Sequence, residues 1–77
     1  MAKQVYTLRE LAQDVTGGNL QAMAKLVNDA GQVPRLDEHD PAPLARIRRE
    51  TVIDLAADRA GDVIGRRLFQ LLGQPEA

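Results

Sequence analysis

At 77 residues the chain is long enough for one small domain, expected to span residues 1–77, but not for a core that also encloses a catalytic cavity. It contains no cysteine, which excludes disulfides and thiolate metal sites, and no secretory leader or membrane-length apolar run, so a cytoplasmic location is expected. Ten basic and eleven acidic side chains leave a net charge of −1, which argues mildly against a nucleic-acid partner because neutralising phosphates is the main sequence-independent source of DNA affinity.

The first predicted element is a helix at about residues 8–15, after a short extended lead-in at residues 3–6. Thr7 suits the N-cap position, and Glu10 three residues later completes a capping box. The apolar residues of this segment recur at helical spacing and are Leu8, Leu11, Ala12 and Val15. The pair Gly17-Gly18 ends the helix because glycine tolerates left-handed dihedral angles.

A second helix is predicted at about residues 20–30, with Asn19 as its N-cap and Gly31 as its end. One face carries an apolar stripe suited to a core. Another face carries polar side chains at positions i, i+4 and i+7, which are Gln21, Lys25 and Asn28. A proline-rich connector follows at about residues 32–41.

A third helix is predicted at about residues 42–60, opened by Asp40 as the cap and Pro41 in the first turn. A fourth is predicted at about residues 63–72, with Asp62 as its N-cap. The apolar residues of these two helices cover a wide arc, which suggests contact on two sides, one inside the subunit and one with a second copy. The residues predicted for this dimer interface are Val52, Ile53, Ala56, Ile64, Leu68, Leu71 and Leu72.

No segment alternates polar and apolar residues as a half-buried strand does, and no internal repeat is evident. The predicted fold is therefore all-α, a compact single domain of about four short helices with a helix-turn-helix-like hairpin at its N-terminus.

That hairpin suggests a DNA-binding regulator. A recognition helix buries one face and projects polar groups to base edges, where Asn and Gln pair with adenine and Lys with guanine or phosphate. The candidate DNA-binding residues are Asn19, Gln21, Lys25, Asn28 and Arg35. The alternative interpretation is a helical hairpin whose polar face only meets water.

The segment Tyr6-Thr7-Leu8-Arg9-Glu10-Leu11-Ala12 resembles the opening Tyr-Thr-Ile-x-Glu-Leu-Ala of MerR-like winged-helix regulators and the related excisionase-type proteins. Gly31-Gln32-Val33-Pro34 is similar to the end of that family's second helix, and Asp40 to Arg49 resembles the start of a later helix. The resemblance implies that Gln21, Lys25 and Asn28 lie in or near the recognition helix, with Arg35 near a backbone-contacting wing.

Two further groups of charges have ordinary interpretations. Arg46, Arg48 and Arg49 fall within one turn of the predicted third helix, among acidic residues, and are interpreted as part of a solvated, salt-bridged face. The run Asp37-Glu38-His39-Asp40 looks like a crude metal site, but consecutive loop residues rarely point at one ion. A solvated loop is the favoured interpretation.

Catalysis has little support because the chain has no Ser or Cys, and its spacing pairs no Thr with His39. We expect a non-enzyme with no cofactor, no small-molecule substrate and no membrane partner. The leading hypothesis is a DNA-binding regulator that acts as a homodimer. The alternative is a small helical adaptor or inhibitor, of accessory or phage-encoded type, that binds a host protein without nucleic acid.

Overall fold

This computed structural model describes residues 3–31 and 35–74. Those residues contain four helices and two three-residue strands. In chain order they are β1 (Val5–Thr7), α1 (Leu8–Val15), α2 (Leu20–Asp29), β2 (Arg46–Arg48), α3 (Arg49–Asp58) and α4 (Val63–Leu72). The first, second and fourth helices lie where the sequence predicted them, to within one residue.

The prediction of an all-α fold is wrong in one respect, because β1 and β2 pair as an antiparallel two-stranded ribbon. Tyr6 stands opposite Ile47 at its centre, and both side chains are buried, at 2% and 0% exposure. Each strand is only three residues long and its partner lies about forty residues away. Neither strand therefore stands out in a search for local periodicity.

The predicted third helix, at residues 42–60, begins too early, since β2 occupies residues 46–48 and α3 begins at Arg49. Asp40 is not its cap. The backbone amide of Asp40 donates instead to Asp37 Oδ1 at 3.3 Å, in a turn of the connector. The N-cap position of α3 is Arg48, whose side chain makes no capping bond. The ribbon supplies a partner for the first amide of α3 instead, because the Arg49 amide donates to the Gln4 carbonyl at 2.8 Å.

The other predicted caps are confirmed. Thr7 and Glu10 form a reciprocal capping box on α1. Asn19 accepts the Ala22 amide at 3.1 Å, and Asp62 accepts the Ile64 amide at 3.3 Å. The turn between α1 and α2 uses Gly17-Gly18, whose φ angles of 66° and 95° are unfavourable for other residues.

The chain thus folds as two successive strand–helix–helix units, although the sequence showed no repeat. Both strands run directly into a helix, and the units cross-pack, with α1 against α4 and α3 against α2. Two arginines strengthen the packing by donating to helix-terminal carbonyls. Arg67 reaches Val15 at 3.1 Å across the units, and Arg49 reaches Leu72 at 3.1 Å.

Packing within the chain buries most of the wide apolar arc of α3 and α4, and with it most of the residues predicted for a dimer interface. Five of its seven residues are buried within the single chain, namely Val52, Ala56, Leu68, Leu71 and Leu72. Ile64 is half-buried against the same core, and only Ile53 is well exposed, at 43%. A second copy is not needed to cover these side chains.

We expect Gly65→Ala to destabilise the fold. Gly65 is buried in α4, and a Cβ placed on it would overlap the backbone carbonyl of Arg59, which has little room to move. The overlap should lower the free energy of unfolding by about 1–3 kcal/mol. The measurement is urea denaturation followed by circular dichroism.

Gly61→Ala is the matched control, because a Cβ at Gly61 would meet nothing within 4 Å. Its stability should stay within about 0.5 kcal/mol of the parent. Equal effects of the two substitutions would contradict the close approach of α4 to the α3–α4 turn.

Candidate nucleic-acid interface

The structure keeps three of the five predicted DNA-binding residues on the outer side of the first hairpin. Asn19, Gln21 and Lys25 are exposed and line one shallow groove of α2. The opposite wall of that groove comes from the connector, through Glu38 and His39. The polar face of α2 is therefore partly flanked by the chain itself.

Asn28 lies on the inner side of α2 and is only 6% exposed. Its side-chain amide forms a two-way pair with the backbone of Leu36. Nδ2 donates to the Leu36 carbonyl at 2.8 Å, and the Leu36 amide donates to Oδ1 at 2.7 Å. Nδ2 also approaches Glu38 Oε2 at 3.3 Å. These bonds occupy the edge that would have to read a base, so Asn28 holds the connector in place.

Arg35 belongs to an acidic segment of the connector. Its guanidinium lies 3.8 Å from Glu38, and its side chain is 69% exposed. Residues 35–40 carry three acidic side chains against this one arginine. The connector therefore places negative charge beside the exposed face of α2, which would oppose the approach of a phosphate backbone.

A second surface, the outer face of the β1–β2 ribbon, has the opposite character. Successive strand residues point to opposite sides, so burial of Tyr6 and Ile47 turns their neighbours outward. The outward residues, here called the ribbon face, are Val5, Thr7, Arg46 and Arg48. Both arginines are exposed, and Val5 and Thr7 are half-buried.

The Arg49 side chain links the ribbon to the end of α4. Its guanidinium donates to the Tyr6 hydroxyl at 3.0 Å and the Lys3 carbonyl at 3.3 Å, and also to the end of α4. Lys3 lies over the Tyr6 ring, 5.4 Å from its centroid. The strand pair is therefore tied to α4 as well as to its own helices.

Charge around the ribbon is predominantly positive. Residues 3–10 and 46–50 carry five basic and two acidic side chains. One acid, Glu10, is bound by Lys3, and this hydrogen bond is the main cause that lowers the pKa of the Glu10 carboxyl. The other, Glu50, lies 3.1 Å from Arg48, but both side chains are mostly exposed, so the pair is weak and easily exchanged.

Arg46 and Arg48 entered the sequence prediction only as part of a solvated helix face. The structure puts them on a strand, on the same side, with the buried Ile47 between them. The only local trace of this strand is the alternation Arg-Ile-Arg after Pro41 and Pro43, which is too short to distinguish a strand from a helix. Ile47 also fits the apolar stripe of a helix, so this segment was predicted to be helical.

Other kinds of site receive no support from the described residues. Within residues 3–31 and 35–74 no group of three or more acidic or histidine side chains is placed to hold a metal ion. No helix in those ranges is long and apolar enough to cross a membrane. Comparisons with protein-family models, curated proteins and solved structures give no match.

We expect Asn28→Ala to weaken the fold and release the connector. The substitution leaves the Leu36 amide and carbonyl without their partner, which should cost about 1–3 kcal/mol of unfolding free energy. Hydrogen exchange at the Leu36 amide should also accelerate.

Gln21→Ala is the control from the same helix, since its one bond is a long 3.5 Å contact to the His39 carbonyl. It should change stability by less than about 0.5 kcal/mol. If Asn28→Ala proved as mild, the connector would not depend on the Asn28 amide.

Proposed function

We propose that this chain is a small DNA-binding regulator that meets the major groove with its ribbon face rather than with α2. The observation that carries the proposal is the pair of exposed arginines, Arg46 and Arg48, on the outward side of a two-stranded ribbon. Arg is the side chain best suited to bidentate contacts with guanine and with phosphate.

The dimensions of the ribbon fit this role. The major groove of B-DNA is about 12 Å wide and admits either a helix or a two-stranded ribbon. Paired strands lie about 4.8 Å apart, which leaves room for side chains on both flanks. The short strands end directly in α1 and α3, so the starts of two helices stand on either side of the ribbon.

Electrostatics favours the ribbon over α2. The surroundings of the ribbon carry an excess of basic side chains, whereas α2 has Lys25 opposed by Asp29 and by the acidic connector. A protein of net charge −1 needs a local positive surface to bind DNA, because a phosphate interacts mainly with nearby charges and little with the net charge of the whole protein. Because Arg46 and Arg48 are both exposed, their contact with DNA would not remove the partner of any buried charge.

The alternative function, a helical protein-binding adaptor or inhibitor, has a different observation in its favour. Several large apolar side chains of the second unit remain exposed, among them Ile53, Val63 and Phe69. Single exposed apolar side chains are common on monomeric proteins and do not by themselves indicate a partner. The cationic ribbon face supports the DNA proposal more directly.

The DNA proposal predicts that Arg46→Ala and Arg48→Ala each weaken binding. Fluorescence anisotropy with a mixed-sequence duplex of about two helical turns measures the effect. Each substitution should raise the Kd by about tenfold, and raising salt from about 50 to about 200 mM should weaken binding of the parent steeply.

Lys25→Glu is the matched control, an exposed charge reversal on α2 that should leave the Kd within about threefold, since Lys25 lies outside the contact surface. Loss of binding in Lys25→Glu with none in the arginine variants would instead favour the helix-turn-helix hypothesis. Absence of salt-sensitive binding by the parent protein would contradict a DNA function and leave the adaptor.

A further inference from the structure

The two strands of the ribbon face differ in chemistry. The pairing places Val5 opposite Arg48 and Thr7 opposite Arg46, so each outward pair joins one methyl-bearing side chain to one guanidinium. All of the cationic groups of the face come from β2. The two paired strands therefore carry different side chains on the same face of the ribbon.

The hydroxyl of Thr7 is already engaged, which sharpens this difference. Its Oγ1 accepts the Glu10 amide at 3.2 Å and lies 3.2 Å from Glu10 Oε1, as part of the capping box of α1. The group that Thr7 can offer outward is its methyl. With Val5 beside it, β1 presents hydrocarbon and no hydrogen-bonding side chain to a base edge.

These two chemistries select different bases. In the major groove a guanidinium pairs with O6 and N7 of guanine, whereas methyl groups make apolar contacts with the C5-methyl of thymine. The ribbon face would thus read guanine beneath β2 and thymine beside β1.

Symmetry strengthens the argument. A ribbon built from two identical chains presents the same residues on both strands and reads a palindrome, as dimeric readers do. Here one chain supplies both strands, and exchanging them would exchange hydrocarbon for guanidinium. A palindrome would leave one strand facing the wrong bases.

We propose that a single copy of this chain recognises a non-palindromic duplex site, with guanine under Arg46 and Arg48 and thymine beside Val5 and Thr7. This inference rests on the proposed function, but it makes separate claims about stoichiometry and base preference. It also removes the need for the homodimer that the sequence suggested, because the second strand is built into the chain.

The experiment is selection from a randomised duplex library with the full chain, followed by sequencing and by sedimentation of the complex with the selected duplex. The expected result is an asymmetric motif, guanine-containing on one side and thymine-containing on the other, bound by one chain per duplex. Replacing a contacted guanine should weaken binding by about 5- to 100-fold.

Arg48→Gln provides the specificity test. Gln pairs with adenine, so selection with this variant should shift one guanine position toward adenine and leave the remaining motif unchanged. A purely phosphate-contacting arginine would instead lower affinity for all sequences alike, and that result would overturn the assignment of base reading.

The outcomes separate the two proposals. Salt-sensitive binding without an enriched motif, or a palindromic motif bound by two chains, would overturn this inference and leave DNA binding intact. Failure to bind any duplex would remove the proposed function as well.

Discussion

Everything in this molecule depends on the pairing of β1 with β2. Three-residue strands have little stability of their own, so the ribbon is held by what surrounds it. Burial of Tyr6 against the core, opposite Ile47, fixes the register, because a slip of either strand by one residue would turn that strand's central side chain to solvent. Since each strand runs straight into a helix, the same register places α1 and α3, and Arg49 ties the assembly to α4.

Local signals were enough to predict most of the helices. Caps and glycines act within a few residues, so Thr7, Asn19, Gly17-Gly18 and Asp62 could be identified directly. The second strand could not be identified in this way, because Ile47 suits a helical stripe as well as a ribbon centre. Only its distant partner Tyr6 distinguishes the two, and pairing over that separation leaves no periodic mark in the sequence.

In the candidate site, too, local features could be predicted and long-range contacts could not. Polar residues of α2 could be assigned to one face by their spacing, but their surroundings depend on how the connector returns along the helix. Leu36 needs partners for its backbone, and Asn28 supplies them, so a residue predicted to read bases became a structural one. Conversely, Arg46 and Arg48 gained a common outward face only because Ile47 is drawn into the core. The cationic surface is therefore a consequence of the ribbon.

The central claim is that the ribbon face is the surface that meets DNA. An NMR titration of the isotope-labelled chain with a duplex tests it most directly, because every backbone amide reports separately. We expect the largest shift changes on residues 5–7 and 46–48 and on the first turns of α1 and α3, with little change along residues 20–25. Changes concentrated on residues 20–25, with the ribbon undisturbed, would contradict it.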